Sequence, residues 1–393
     1  MSVNTDAGIS DAAVEEVKRK NEEHYNTKAT VEKDFKEAVH ERSQGPALPL
    51  KEFHNHIKRQ LLFRFAYRKE RLLDLACGRC GDLHKWVASQ VRYAHAMDIA
   101  AGEIEEAKRR FEEMKAKASR WRRGGPTNLE VTFEAIDYLG QRNWIDPNAG
   151  RESYDVATCM FALHYFFASQ QMLKQLLQTV ADNLKPGGYF IGTSTHGLRV
   201  LETLRGGDEF KETFLKLTKL WTGTPTYFGS RLNFTIDDTV VSSSTEPESK
   251  STTGGSFEYL MFPNALETVA NSVGLFAVVD YESPILQQCF LDEDRLEPIK
   301  RFKPFFRDSH PNVELASSLF AAFVFQKVPS QGEVTRISKG GPCSYNASPF
   351  SKQYDWTVDR SARNDRREGE RERKFQPEPE NMNYGGHYVM RRT

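Results

Sequence analysis

One short segment holds most of the residues that could do chemistry, Leu72–Asp82 (LLDLACGRCGD). An apolar run ends at Asp74, small residues follow it, and a helix is predicted to begin at Asp82. Glycines at positions 78 and 81 let the backbone take φ > 0 and approach a ligand closely. A bend of this kind between a strand and a helix indicates a ligand-binding loop.

Two more carboxylates follow the next two predicted strands. Asp98 ends the second strand, 20 residues after Gly78, where a carboxylate can accept both hydroxyls of a ribose. Asp137 ends the third strand, where it could accept from an adenine amine. Taken singly, each feature could be an ordinary turn or helix cap. Three of them at the carboxyl edge of one sheet favour a ligand that contains a nucleoside.

The charge at the start of the helix discriminates between nucleoside ligands. A dinucleotide fingerprint, G-x-G-x-x-G, presents a helix N-terminus to a pyrophosphate. Here the pattern is A-C-G-R-C-G-D, and the acidic Asp82 begins the helix, where it repels phosphate. S-adenosyl-L-methionine carries an ammonium and a sulfonium and no phosphate. The sequence therefore favours it over a dinucleotide as the cofactor.

Cys77 and Cys80 form a C-x-x-C motif, which also occurs in zinc sites and thiol redox enzymes. A zinc site needs about two more ligands at suitable spacing. The cysteines at positions 159, 289 and 343 form no second pair. The two cysteines of the motif are better explained as small residues that suit the ligand loop. We therefore expect no metal.

Strand and helix patterns alternate around these residues. Short apolar runs predict strands at 71–75, 93–99, 129–136, 154–161 and 189–194, with helices at 82–89, 103–117 and 170–184 between them. An apolar stripe at four-residue steps predicts a further helix around 53–65, and Lys185–Gly188 (KPGG) predicts a sharp turn. The alternation predicts an α/β fold with a parallel sheet covered on both faces.

The second half of the chain has a different character. Strands are predicted at 227–236, 257–262, 276–281 and 319–328, with a helix at 264–272. Residues 241–256 are polar and of low complexity, which predicts a flexible loop. We expect a disordered N-terminus over 1–20 with a short helix near 11–20, one domain over 21–328 and a disordered basic and polar tail over 329–393.

Composition excludes some classes of function. The 393 residues include 54 basic and 54 acidic side chains, so the net charge is zero, which argues against a uniformly basic coat protein. No apolar run approaches the ~20 residues of a membrane helix, so no membrane association is expected. The five cysteines indicate a reducing compartment rather than a disulfide framework.

Eight short motifs resemble those of one family, the eukaryotic-type mRNA cap guanine-N7 methyltransferases, over about residues 24–327. They are Glu23–Asn26 (EHYN), Phe53–Lys58 (FHNHIK), Leu73–Asp82, Met97–Ala100 (MDIA), Phe161–Tyr165 (FALHY), Leu184–Thr193 (LKPGGYFIGT), Phe257–Pro263 (FEYLMFP) and Phe323–Lys327 (FVFQK). The resemblance implies a doubly wound class I methyltransferase fold, a Rossmann-like mixed sheet of the seven-stranded type with an inserted cap-binding segment. It also implies methyl transfer from S-adenosyl-L-methionine to guanine N7 of a GpppN cap.

The matching motifs imply two sets of site residues. On the cofactor side they are Lys58 at the methionine carboxylate, Ala76 and Gly78 through their backbone, Asp98 at the ribose, Asp137 at the adenine, Met160 at the methionine and Tyr165 beside the methyl group. On the cap side they are His54, Asn55, Arg79, Lys85, Arg110, His164, Glu258 and Phe320.

Chemistry supports part of this assignment. A single carboxylate, Glu258, can accept from both N1–H and N2–H₂ of guanine, which selects guanine over adenine. His164 and Tyr165 can flank the base. The cations among the cap-side residues would supply charge to the triphosphate.

The sequence departs from the usual family pattern at six positions. Ala76 and Cys80 replace glycines. The energetic cost of each replacement depends on whether the backbone there needs φ > 0. The other departures are Arg79 for lysine, His54 for asparagine, Met160 for glutamine and Phe320 for tyrosine.

The implied mechanism is a direct in-line displacement. Guanine N7 has a lone pair and no proton, so no general base is required and catalysis is positioning and electrostatics. The expected partners are the capped mRNA 5′ end and a capping guanylyltransferase or the transcription machinery, in a nuclear monomer. The alternatives are a class I methyltransferase for a small molecule or a protein, and a non-catalytic RNA-binding protein on that fold.

Overall fold

The structure, a computed structural model, describes residues 11–30, 45–120, 128–237, 239, 256–281, 283–307 and 309–328. The α-helices are α1 Asp11–Thr30, α2 Leu48–Phe65, α3 Leu83–Ala88, α4 Ala101–Arg120, α5 Gln170–Asn183, α6 Gly197–Leu204, α7 Pro263–Ser272, α8 Pro284–Gln287 and α9 Pro311–Ser318. Two 3₁₀ helices span Leu163–Ala168 and Asp292–Asp294. The strands are β1 Arg71–Leu75, β2 Tyr93–Asp98, β3 Glu130–Ala135, β4 Tyr154–Met160, β5 Leu184–Thr195, β6 Glu209–Glu212, β7 Leu215–Lys219, β8 Arg231–Ile236, β9 Ser256–Tyr259, β10 Leu275–Ala277, β11 Ile299–Arg301 and β12 Phe320–Lys327.

The central sheet follows the order β10-β12-β5-β4-β1-β2-β3, and β11 pairs with β12 beside this path. Strands β1 to β5 run parallel, whereas β12 is antiparallel to both of its neighbours in the path. Its inner strands are buried almost throughout, as expected for a sheet with helices on both faces. The predicted doubly wound, seven-stranded mixed sheet is confirmed.

A second sheet, β6-β7-β8-β9, is antiparallel and enters the chain between α6 and α7. The Gly229 N–H donates to the Phe167 carbonyl at 2.9 Å, and the Gly197 N–H donates to the Met261 carbonyl at 2.7 Å. These bonds hold the inserted sheet against the segments that follow β4 and β5. The insert therefore lies at the carboxyl edge of the parallel strands.

Most predicted elements lie within a few residues of the observed ones, but Lys185–Gly188 is not a free turn. The structure includes it in β5, with a register shift between the pairs Tyr154–Leu184 and Val156–Tyr189. Gly187 takes φ +76°, which lets the strand continue through the irregularity. Sequence patterns also missed β6, β7, β11, α6 and α9, whose apolar residues are few or whose lengths are short.

The ordered N-terminal part is longer than predicted. Helix α1 begins at residue 11, so the expected domain start at residue 21 falls inside it and residues 11–20 are helical. The predicted loop at 241–256 and the tail at 329–393 lie outside the described residues, apart from Ser256 at the start of β9. None of the helices in the described ranges has both the length and the apolar composition to cross a bilayer.

Gly192 offers a test of the central packing, because a side chain there has no room. A Cβ at this position would overlap the Cys159 carbonyl oxygen and the Phe323 ring. We expect Gly192→Ala to lower the free energy of unfolding by about 1–3 kcal/mol or more, measured by denaturant titration. Gly81→Ala is the matched control, because a Cβ there meets nothing within 4 Å. Equal stability of the two variants would contradict this packing.

Candidate active site

The ligand loop is held in an unusual backbone conformation. Ala76, Gly78 and Cys80 take φ +60°, +51° and +50°, in the left-handed region. The departures from glycine at Ala76 and Cys80 therefore carry strain of about 1–2 kcal/mol each. The loop sits at the carboxyl end of β1, as the sequence predicted.

The carboxylate of Asp98 fixes this loop. Its Oδ2 accepts from the Gly78 N–H at 2.8 Å, and its Oδ1 accepts from the Ala100 N–H at 2.9 Å. Burial raises the pKa of Asp98, although the backbone N–H groups act in the opposite direction. The N–H groups of Gly78, Ile99 and Ala100 thus all bond this carboxylate, and the ribose contact stays a prediction that would use its remaining lone pairs.

Asp82 lies between two ammonium groups at the start of α3. Its Oδ1 is 2.8 Å from Lys58 Nζ and 2.8 Å from Lys85 Nζ. Burial alone would raise the pKa of Asp82, but the two cations lower it to about 2. The group therefore carries a net positive charge, and the expectation that Asp82 repels phosphate is wrong for the folded protein.

The cations predicted to face a triphosphate all have carboxylate partners. Lys85 pairs with Asp82, Arg79 Nε donates to both oxygens of Glu103 at 2.8 and 2.9 Å, and Arg110 Nε donates to Glu106 at 2.8 Å. Arg110 lies one helical turn from Glu106 on α4. Arg79 and Lys85 thus lie at the loop. All three cations, including Arg110, form ion pairs with carboxylates.

A second group of site residues brings β9 against the 3₁₀ helix. Glu258 and His164 are each about 2% exposed, and His164 Nε2 lies 3.4 Å from Glu258 Oε2. Ser256 Oγ donates to the other oxygen, Oε1, at 2.9 Å. Burial raises the pKa of Glu258 to about 8 and lowers that of His164 to about 3. Both side chains are therefore neutral at pH 7, and they are not an ion pair.

This neutral pair leaves two buried atoms unsatisfied. Glu258 Oε2 and His164 Nε2 make no hydrogen bond among the described residues. A buried polar atom without a partner costs about 1–3 kcal/mol. A ligand that supplies partners to these atoms would recover that cost.

Helix α1 covers this part of the sheet edge. The Tyr25 hydroxyl lies 2.6 Å from the Tyr165 hydroxyl, and the Asn21 amide exchanges two hydrogen bonds with the backbone of Phe257. The Asn26 side chain accepts from the Gly102 N–H at 3.0 Å. The EHYN motif was part of the resemblance, but no role was predicted for its residues or for Asn21. The polar residues of the motif were the signal that could have indicated these contacts.

Two predicted cap contacts are buried in an aromatic cluster. The His54 ring stacks on Phe161 with centroids 4.8 Å apart and meets Phe320 edge-on at 5.0 Å. His54 Nε2 also lies 3.0 Å from Ser317 Oγ. Burial lowers the pKa of His54 to about 3, so it contributes no charge to a ligand. His54 and Phe320 therefore pack against each other and against Phe161.

The remaining predicted residues occupy separate positions. Met160 is half-buried at the end of β4, and Asn55 is half-buried on α2. Asp137 is exposed just beyond β3, where it lines a pocket of ≈ 420 Å³ together with α1 residues that include Arg19 and Glu22. Asp74, which sequence analysis left without a role, is buried beside the loop, and burial raises its pKa to about 8.

The order of the central sheet and the ligand loop at its carboxyl edge define a class I methyltransferase fold. The profile of the mRNA (guanine-N(7))-methyltransferase domain matches residues 9–244. This match covers more than half of the chain, and the chain belongs to that family.

Similar proteins carry the same description. The chain is 31% identical over 186 residues to "mRNA cap guanine-N(7) methyltransferase 1" of Oryza sativa subsp. japonica, covering 47% of each chain. It is 28% identical over 231 residues to "mRNA cap guanine-N(7) methyltransferase" of Caenorhabditis elegans, covering 55% of this chain and 57% of the relative. The chain therefore spans about half the length of these curated relatives.

Solved structures show a distant likeness. An S-adenosylmethionine-dependent methyltransferase from Clostridium acetobutylicum aligns with a TM-score of 0.42 and 14% identity, covering 73% of this chain and 94% of its own. A methyltransferase from Methanosarcina mazei aligns with a TM-score of 0.39 and 12% identity, covering 69% and 98%.

The Asp82 ion pairs predict a pH-dependent contribution to stability. Because the folded pKa of Asp82, about 2, is below the ordinary value of 3.8, the stabilisation is present above pH 4 and is lost as the pH falls toward 2. We expect Asp82→Asn to lower the free energy of unfolding by about 2 kcal/mol at pH 7, with a smaller difference at acid pH. Glu105→Gln, which removes an exposed partner of Lys108, is the control and should cost under about 0.5 kcal/mol. A difference that is constant from pH 7 to pH 3 would rule out this account.

Proposed function

We propose that this chain transfers a methyl group from S-adenosyl-L-methionine to guanine N7 of GpppN-capped RNA. Family membership supports the reaction class. The observation that carries the proposal is the pair of buried atoms at Glu258 and His164 that lack a hydrogen-bond partner among the described residues, at two positions that the motif resemblance assigns to the cap. The N1–H and N2–H₂ donors of guanine would give the Glu258 carboxylate the partners it needs once it is ionised.

The base would be recognised through Glu258. Guanine offers N1–H and N2–H₂ as donors along one edge, whereas adenine presents an acceptor at N1. Accepting both donors requires the ionised carboxylate, so binding would draw the proton from Glu258. The neutral His164 adds no repulsion to the positive charge that guanine gains on N7 methylation. The ionised Glu258 then stabilises that charge.

The cofactor would lie along the loop of Ala76 and Gly78, with its ribose at Asp98. When bound, S-adenosyl-L-methionine supplies an activated methyl group. Asp98 lies against this loop through the Gly78 N–H, and its carboxylate suits a ligand that carries an ammonium and a sulfonium. Because N7 carries no proton, these residues need only hold the two ligands in line.

The triphosphate would have to compete with carboxylates. We infer that it takes Arg79 from Glu103, while the net positive charge around Asp82 attracts the phosphates. Arg110, paired with Glu106 on α4, would act at longer range.

The wider setting is part of the same proposal. A cap substrate implies action on nascent transcripts, and hence a nuclear location. A monomer that meets a capping guanylyltransferase or the transcription machinery is consistent with a site built from one chain.

The direct test locates the transferred methyl group. The full chain is incubated with labelled S-adenosyl-L-methionine and GpppA-capped RNA, and the digested cap is identified by chromatography. We expect label in 7-methylguanine, with little transfer to uncapped RNA of the same sequence. Label at another position, or equal transfer to both RNAs, would refute the proposal.

Glu258→Gln tests the guanine contact through its pH dependence. In the wild-type chain, affinity for GpppA should rise up to about tenfold per pH unit toward pH 8, because Glu258 must lose its proton to bind. The glutamine variant should bind weakly and without this dependence, since its amide puts a donor against a donor. Tryptophan fluorescence titration between pH 6 and pH 8.5 measures both.

Stability separates lost binding from misfolding. The folded chain holds the Glu258 proton more tightly than the unfolded chain, so this carboxyl reduces stability as the pH rises from about 4.5 to about 8. Without ligand, Glu258→Gln should therefore unfold at a higher temperature than wild type at pH 8. Glu152→Gln, at an exposed pair with Lys327, should change neither property. If Glu258→Gln binds weakly but is also less stable than wild type, the weak binding could come from misfolding. That result would count against the guanine contact.

A further inference from the structure

Three side chains with metal-ligand atoms meet at the end of β1. The ligand atoms of Asp74, Cys77 and Cys80 all lie within 4.8 Å of one another. Asp74 and Cys80 are buried, and Cys77 is half-buried. The cysteine pair alone gave no zinc site, but the fold adds a third donor from the strand. The spacing D-x-x-C-x-x-C was the sequence signal for it.

The backbone holds these donors in place. The Cys77 N–H donates to the Met97 carbonyl at 2.9 Å, and the Cys80 N–H closes a turn onto the Cys77 carbonyl at 3.0 Å. With Zn–S near 2.3 Å and Zn–O near 2.0–2.2 Å, donors of a tetrahedral zinc site lie about 3.6–3.8 Å apart. The three ligand atoms lie within 4.8 Å of one another, which is at most about 1 Å beyond that spacing.

The local charge favours a cation over thiol redox chemistry. The cations beside the loop are already paired with carboxylates, Lys58 and Lys85 with Asp82 and Arg79 with Glu103. Redox-active thiolates depend on nearby positive charge, which these carboxylates oppose. A bound metal ion supplies that positive charge itself. A disulfide between the two cysteines would also leave Asp74 without a role, although the Asp74 carboxylate lies close to both sulfurs.

We propose that Asp74, Cys77 and Cys80 form a binding site for a thiophilic divalent cation such as Zn²⁺. Two metal–sulfur bonds form, and the two thiol protons pass to solvent; Asp74 adds an oxygen ligand and releases its proton where it carries one. A water molecule would complete a four-coordinate site.

Metal binding at this site would act on the cofactor loop. Ala76 and Gly78 lie between the ligands, so a bound ion fixes the backbone that the cofactor is expected to contact. Zn²⁺ and S-adenosyl-L-methionine should therefore compete. This competition rests on the proposed function, whereas the metal site itself does not.

Cd²⁺ titration of the reduced, chelator-treated full chain tests the site directly, because cadmium thiolates absorb in the ultraviolet. We expect saturation at one equivalent with the absorption of two thiolates. Cys80→Gly should lose about half of this absorption and bind at least tenfold more weakly, while glycine relieves the strain at φ +50°. Asp74→Asn should keep the absorption but weaken binding about tenfold.

Controls separate this site from other thiols. Cys289→Ala removes a buried cysteine elsewhere and should leave the titration unchanged. Buffered Zn²⁺ should raise the Kd for S-adenosyl-L-homocysteine in the wild-type chain and not in Cys80→Gly, whether or not capped RNA is methylated. The proposal is overturned if Cys80→Gly or Asp74→Asn binds Cd²⁺ like wild type. It is also overturned if the reduced chain binds no Cd²⁺ and instead forms a Cys77–Cys80 disulfide in air.

Discussion

The hydrogen bonds from the backbone to the Asp98 carboxylate are the contacts on which the ligand edge depends. They tie the loop after β1 to the end of β2, and they hold Gly78 in the left-handed region. That conformation sets where α3 begins, and so brings Asp82 between Lys58 of α2 and Lys85 of α3. One buried carboxylate thus organises the loop, the helix that follows it and the ion pairs beside it.

The residues on the guanine side differ, because their buried polar atoms are not fully hydrogen-bonded. Among the described residues, Glu258 Oε2 and His164 Nε2 have no hydrogen-bond partner, although burying such atoms is costly. Burial keeps both side chains neutral, and a ligand with two adjacent donors would restore the charge of Glu258. Burying these unpaired atoms lowers the stability of the protein, and a bound ligand could restore it. This pattern is characteristic of binding sites rather than of cores.

Helix α1 joins the two sheets across this edge. Its bonds to Phe257 of β9, to Tyr165 of the 3₁₀ helix and to Gly102 of α4 all come from polar side chains. Val17 is buried in the core with Val14 packed beside it, but no other described side chain of α1 is buried, so the helix carries no long apolar stripe. For this reason hydrophobic periodicity predicted α2 but not the full length of α1.

The sequence by itself determined the strand–loop–helix order, the glycine bend and the carboxylates at the strand ends. These features follow from local apolar periodicity and from backbone freedom at single residues, so short segments suffice to specify them. The sequence did not determine which charged side chains form ion pairs with each other. Lys85, Arg79 and Arg110 could each have faced a phosphate, but neighbouring carboxylates reach them first.

Only the tertiary structure placed His54 and Phe320 in an aromatic cluster and set Glu258 beside His164. Burial and partner choice depend on contacts between elements far apart in the chain. Those contacts decide the protonation of each side chain, and the spacing of residues along the sequence does not encode them.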